Sequence, residues 1–228
     1  MKPKSDTYWR VCILFSVSSM IIGCSAPPLK PVPEDLRHTV RILPLNDLTG
    51  SYKSLPVPFE SLATSALSAN FVEVIEPIGT GPELRIYPNV FRPIGPSATN
   101  DAAFTVRGEV ERIVYEPANQ IKKMIVGYVL SGLLFTGSEK DMGAFVQYRF
   151  CVNDKEDVAV DSFVTVGASS GERDKTSRQQ LMAEANKVAA CNFASDLLFH
   201  LSRKYQWDIP SRRENPPIQR KLCTKDIL

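Results

Sequence analysis

Three stretches of alternating side chains constrain this chain more than anything else in it. In Phe104 to Val114 the apolar Phe104, Val106, Val110 and Val114 alternate with Thr105, Arg107, Glu109 and Glu111. Ala144, Val146, Tyr148, Phe150 and Val152 repeat the pattern against Gln147 and Arg149, and Val158, Val160, Val164 and Val166 repeat it again. A period of two marks strands with one face covered and the other wet. Only Asn153-Asp154-Lys155-Glu156-Asp157 joins the last two stretches, and so short a connection forces antiparallel neighbours. The covered face needs helices. One is expected from about Ser177 to Lys204, carrying Leu181, Ala185, Val188, Phe193, Leu197 and Leu201; Phe59, Leu62, Ala63, Ala66 and Leu67 trace the stripe of another, which Asn70 would end. The expected fold is α+β, a two-layer sandwich of a mainly antiparallel sheet packed on two helices.

Lesser strands fit around this frame. Thr39 to Leu45 and Val72 to Ile75 read as strands, and the polar loop from Asn46 to Pro56 carries Asp47, Thr49 and Gly50 as turn residues. Leu84 to Val90 is a weaker strand that Pro88 would confine to a sheet edge.

The N-terminus decides location. Lys2, Lys4 and Arg10 precede the apolar run Val11 to Ile22, which closes on Gly23 and Cys24 and is followed at once by Pro27 and Pro28. That order is the one of a secretory signal, and the run is too short to span a bilayer, which takes about 20 apolar residues. Ile21-Ile22-Gly23-Cys24 resembles the bacterial lipobox, which implies cleavage before Cys24 and acylation of its thiol and new amino group. Two or more acyl chains hold a protein at a bilayer, where one binds only marginally. The expected organisation is a cleaved signal peptide (1–23), an acylated Cys24 with a proline-rich tether (24–38), an α+β domain (39–206) and an irregular tail (207–228), in which Trp207 is a candidate to dock on the core. At about 3.1 Å per residue an extended 25–38 would reach on the order of 40 Å.

Composition excludes more than it assigns. Taking Lys2, Lys4, Arg10 and Asp6 from 27 basic and 25 acidic residues leaves 24 of each, so charge offers no argument for nucleic acid. Two histidines and no ligand-spaced cysteines make zinc improbable, and no cofactor is expected. Beyond Cys12 and Cys24 stand Cys151, Cys191 and Cys223. Outside the cytoplasm a disulfide is allowed; Cys191 with Cys223 would staple the tail to a helix, the alternatives being Cys151 with Cys191, or free thiols.

Four stretches compete for function. Lys122 to Gly137 carries no charge from Met124 on; it is either a buried helix or hairpin capping the sheet, or a membrane or partner contact through Met124, Ile125, Val126, Tyr128, Val129, Leu130, Leu133, Leu134 and Phe135. Gly167-Ala168-Ser169-Ser170-Gly171 spells G-x-S-x-G, with Asp196 and His200 following in hydrolase order, but a hairpin neighbour and a polar run after it argue against a nucleophile elbow. Asn153, Asp154, Glu156 and Asp157 lack calcium-loop spacing and read as a solvated turn. Asn46 to Lys53 could offer amides to an anion but lacks the glycine pattern of a phosphate loop.

The segment RILPLNDLTGSYK, Arg41 to Lys53, is similar to the first strand and loop of the curli-secretion lipoprotein family, and the order of elements resembles the auxiliary lipoproteins of envelope transporters. Ser25 after the cysteine resembles signals that send lipoproteins to the outer membrane; in a single-membrane organism the anchor would mean the outer face of the cell membrane. A good core pattern with no credible catalytic set leads to the expectation of a non-enzymatic, lipid-anchored accessory protein facing the periplasm, with an envelope protein as partner, bound through the sheet edge near Leu84 to Val90 or the 122–137 element. The other readings are an oligomeric secretion channel and, least, a Ser169 hydrolase.

Overall fold

The computed structural model describes residues 28–78, 81–98, 102–125 and 140–213. Its strands are β1 (His38–Ile42), β2 (Asn46–Asp47), β3 (Phe71–Ile78), β4 (Gly81–Pro88), β5 (Phe91–Ile94), β6 (Phe104–Pro117), β7 (Asp141–Asp154), β8 (Ala159–Glu172) and β9 (Arg212–Arg213); its helices are α1 (Phe59–Ser68), α2 (Ala118–Ile125) and α3 (Arg178–Tyr205). The main sheet runs β5-β1-β6-β7-β8, with β2 beside β6. The long β6–β7–β8 meander is antiparallel, as its short turn requires, whereas β1 lies parallel to both β5 and β6. The architecture is α+β, a sheet packed against helices.

The helices sit where the apolar stripes put them. On α1, Phe59, Ala63, Ala66 and Leu67 are buried; on α3, Leu181, Ala185, Ala189, Phe193, Leu197 and Leu201 are fully buried. Ser177 caps α3 by accepting from the Gln180 amide, and Gln206 closes it in the left-handed region at φ 53°. Between helices and sheet lies an aromatic centre: Phe59 stands 4.4 Å from Tyr148 and 5.7 Å from Phe193, which is 4.7 Å from Phe150. Full burial of such a ring stabilises by roughly 1.5–3 kcal/mol. The helix comes close to the sheet at Gly167, where a Cβ would lie 2.0 Å from the Ala185 carbonyl oxygen and 2.5 Å from the Ala189 nitrogen.

The simple alternation fails in two places, each at an irregularity in pairing. Val110 pairs with Tyr148 and Arg112 with Gln147, so Glu111 is an extra residue, and beyond it the inward parity flips. Ile113 and Tyr115 therefore join the main core, while Val114 turns to the opposite face. A second irregularity lies between the Val152–Asp161 and Asn153–Ala159 pairs. After it Phe163 and Thr165 face α3, and Val164 and Val166 point the other way. That outer face is not wholly wet: α2 seals one end of it, with Ile121 and Ile125 buried against Phe145 and Val166.

Other departures are local. The strand expected to 45 ends at Ile42. The chain from Leu84 is the middle of a small antiparallel sheet, β3-β4-β9, rather than an edge, because Arg212 and Arg213 pair with Ile86 and Arg85; this sheet rests on α3, where the Ser195 hydroxyl donates to the Glu73 carbonyl. The edges of the main sheet are β5 and β8, and Pro93 obscures the strand character of β5. Helix α1 ends on Ala69 with an extended backbone, not on a left-handed Asn70. The arm before β1 is shorter than its prolines suggest, since a 3-10 turn over Glu34–Leu36 and the Arg37 Nε bond to the Val32 carbonyl fold it onto the domain. Among the described residues, no helix is long and apolar enough to cross a membrane.

Because backbone atoms, not flexible side chains, fill the space over Gly167, Gly167→Ala is expected to destabilise by about 1–3 kcal/mol, the range of an overpacked core. Gly95→Ala, with nothing within 4 Å of its Cβ, is expected to stay within about 0.5 kcal/mol. Urea midpoints of the two variants check this.

Candidate functional site

The rows of β6, β7 and β8 on the face away from α3 grade from apolar to polar. Under α2 lie Val114, Phe145 and Ala168. Next comes the bulged Glu111, whose carboxylate accepts from Gln147 Nε2 and Arg149 Nε at 2.6 Å each. Beyond it the surface is open. Glu109 pairs in register with Arg149, and Arg107 with Cys151, whose other neighbour is Ser162. With Leu43, Pro44 and Asn46 as a side wall, these residues line a concavity of about 560 Å³. Arg107 is held by the Asp157 carboxylate at 3.0 Å, and Asp157 also takes Asn153 Nδ2 at 2.8 Å. Those bonds, the Asn153 contact foremost, hold the Asp157 carboxyl below the usual carboxylate range. Glu109 has no ion pair or hydrogen bond among the described residues. The face therefore presents a free carboxylate, an arginine on each side, and the partly buried free thiol of Cys151. Such a surface can exchange hydrogen bonds with a partner's main chain and side chains.

A second concavity, about 610 Å³, lies where the arm meets the domain and is lined by Pro31, Glu34, Arg37, Ser68, Asn70 and Arg92, among others. Ser68 and Asn70 in this lining come from the end of α1. Buried Asn89 donates to the Leu67 and Ala69 carbonyls at 2.6 and 2.7 Å, and its oxygen accepts the Phe91 amide at 2.9 Å. Arg37 adds Nη1 to the Ala69 carbonyl at 3.4 Å and Nη2 to Asn70 Oδ1 at 3.0 Å. Arg92 Nε is buried with no hydrogen-bond partner. Next in the chain, His38 stacks on Trp207 at 4.6 Å, with Phe104 at its edge at 5.9 Å, so the tail docks beside the arm. Burial pushes the His38 imidazole below its ordinary value.

The residues singled out from the sequence are dispersed. Ser169 lies inside β8, not on an elbow, and donates to the Leu181 carbonyl at 2.6 Å. Asp196 accepts from Thr165 at 2.6 Å, and His200 Nδ1 meets Asp161 at 2.9 Å while its ring stacks on Phe163. These three are not brought together; each fastens α3 to the sheet. Burial pushes the Asp161 carboxyl up, but the bonds from His200 and the Ser162 amide outweigh it and leave it lowered. The 46–53 loop turns inward upon itself. Asp47 accepts the Thr49 amide and hydroxyl and the Tyr52 amide at 2.8–3.0 Å, and Gly50 takes the left-handed φ of 67° that this turn needs. Desolvation raises the Asp47 carboxyl, and those bonds more than offset it. Tyr52 bridges Glu60 and the Phe59 amide, with desolvation foremost in raising its phenol.

Of the apolar contact residues, Ile125 is buried and Met124 half-buried between α2 and the sheet. Val126, Tyr128, Val129, Leu130, Leu133, Leu134 and Phe135 lie outside the described residues, as do Cys24 and Cys223. Cys191 is disulfide-bonded and Cys151 is free, which removes the Cys151–Cys191 pairing. Among the described residues no three His, Cys, Asp or Glu side chains are placed to hold a metal ion. The sequence reading missed Arg37, Asn89 and Arg92, because a groove built from an arm, a helix end and an edge strand has no local pattern.

No family model matches the chain, and no curated protein matches it. Several solved structures are similar to it, three of them as follows. A DUF330 protein from Xanthomonas campestris has 10% identity over 78% of this chain and 95% of its own, with a TM-score of 0.38. A hypothetical protein from Chlamydia trachomatis has 12% identity over 73% and 99%, at 0.42, and a minor lipoprotein from Acinetobacter baumannii has 12% over 76% and 97%, at 0.35.

A depressed His38 value makes the folded arrangement prefer neutral imidazole, so its contribution is complete above the unfolded value near 6.5 and declines as pH falls below it. In a Trp9→Phe background, acrylamide quenching of Trp207 is expected to rise between pH 7.5 and pH 5. In His38→Gln the rise should be absent.

Proposed function

We propose that this protein is a lipid-anchored accessory protein of the bacterial envelope, held by acyl chains on Cys24 and acting by binding another protein rather than by catalysis. The outer membrane, with the domain facing the periplasm, is its proposed location. The observation that carries the binding role is the open half of the outer sheet face. Helix α2 covers the apolar rows, while the adjoining rows leave Glu109, Arg107, Cys151 and Ser162 around a concavity of about 560 Å³. An interface of charged and polar groups beside a buried apolar ridge suits specific, reversible association. The hydroxyl, carboxylate and imidazole with hydrolase order are instead tied to Leu181, Thr165 and Asp161. Nothing observed favours the channel reading over this one.

A photo-crosslinking residue in place of Glu109 is expected to capture a discrete envelope protein in intact cells, whereas one at Val158, 59% exposed on the turn, is not. Equal capture at both positions, or none at Glu109, would dismiss the face. Cys24→Ser is expected to leave the membrane fraction without mature acylated protein; an unmodified wild-type amino terminus by mass would dismiss the anchor.

A further inference from the structure

The groove at the arm has features that the protein-binding reading does not use. Arg92 makes no hydrogen bond or ion pair among the described residues, although its Nε is buried. Among the described residues no carboxylate pairs with its guanidinium, so an anion in the groove would supply the missing counter-charge. Arg37 is bonded to neutral groups only, the Val32 and Ala69 carbonyls and the Asn70 side chain, which fix its geometry and leave its charge uncompensated. Glu34 also lines the groove but lies within ion-pair distance of neither arginine. Two guanidinium groups converging on one concavity with Ser68 and Asn70 match a phosphate, which accepts forked donors.

The chain also restricts where this groove stands. With Pro31 to Arg37 folded onto the domain, only the seven residues from Cys24 to Lys30 separate it from the proposed anchor. Extended, they span about 20 Å. The polar zone of each leaflet is roughly 5–7 Å deep, so the groove stays within reach of the headgroups.

We infer that the Arg37–Arg92 groove binds the phosphate of an anionic phospholipid headgroup and so fixes the arm side of the domain against the bilayer. The inference rests on Cys24 acylation for its lipid source, though not for the site itself. The test is calorimetry on full-length acylated protein in an uncharged detergent, titrated with dihexanoyl phosphatidylglycerol below its micellar concentration and, separately, with inorganic phosphate. Wild type, Arg92→Gln and Arg92→Lys are compared, with circular dichroism on each to establish folding. Phosphatidylglycerol binding that weakens at least tenfold in Arg92→Gln and is partly kept in Arg92→Lys supports the site. Binding of inorganic phosphate without the lipid would overturn the headgroup assignment; equal lipid binding in all three proteins, or none in wild type, would overturn the site. The mass of the amino terminus reads the anchor independently, so failure of one is distinguishable from failure of the other.

Discussion

The close seat of α3 on β8 is the contact from which the rest of the domain takes its shape. A helix over a sheet ordinarily keeps its backbone clear of the strands by the thickness of two side-chain layers. Here Gly167 meets Ala185 and Ala189, with no room for even one methyl group between them. Small residues at one point let larger ones interlock elsewhere: Phe193 reaches the Phe59 and Phe150 rings, and Leu197 and Leu201 are fully buried in the same core. The polar groups of this interface follow the same spacing. Buried Tyr148 donates to Asn186 Oδ1 at 2.7 Å, and Asn186 Nδ2 reaches the Val57 carbonyl at 2.8 Å, so each buried group is satisfied across the layers. Asn192 likewise donates to the Val166 carbonyl at 2.6 Å.

Much of this was legible in the chain because period and propensity agreed with tertiary packing. The α3 cap at Ser177, the β7–β8 turn and the α1 stripe depend on residues within one or two turns of each other. What was hidden depends on distant partners. Nothing around Leu84 shows that Arg212 and Arg213 will return to pair with it, and Pro93 disguises β5, which gains its strand geometry from β1. The parity of Val114, Val164 and Val166 was misassigned for a related reason: all are apolar, and alternation reports that a residue is buried without reporting against which layer.

The candidate surfaces were less legible than the fold. The motif-like serine, aspartate and histidine had the right order but sit in structural bonds, which shows how a short match loses its meaning when its strand runs on through the serine. Conversely, the open sheet face and the arm groove are assembled from residues that individually read as ordinary surface. Arg107, Glu109 and Arg149 belong to the wet half of an alternating strand, and only the return of Leu43, Pro44 and Asn46 beside them turns them into the margin of a concavity.

The extra residue at Glu111 has an effect out of proportion to its size. A strand that keeps one parity throughout divides a domain into an inside and an outside. β6 exchanges the two partway along its length, so a single backbone serves the interior of one layer at its beginning and that of another at its end. Removing one residue there would not merely shorten a strand; it would send Ile113 and Tyr115 out and Val114 in, taking from α2 the β6 part of its seat while Phe145 and Val166 kept theirs.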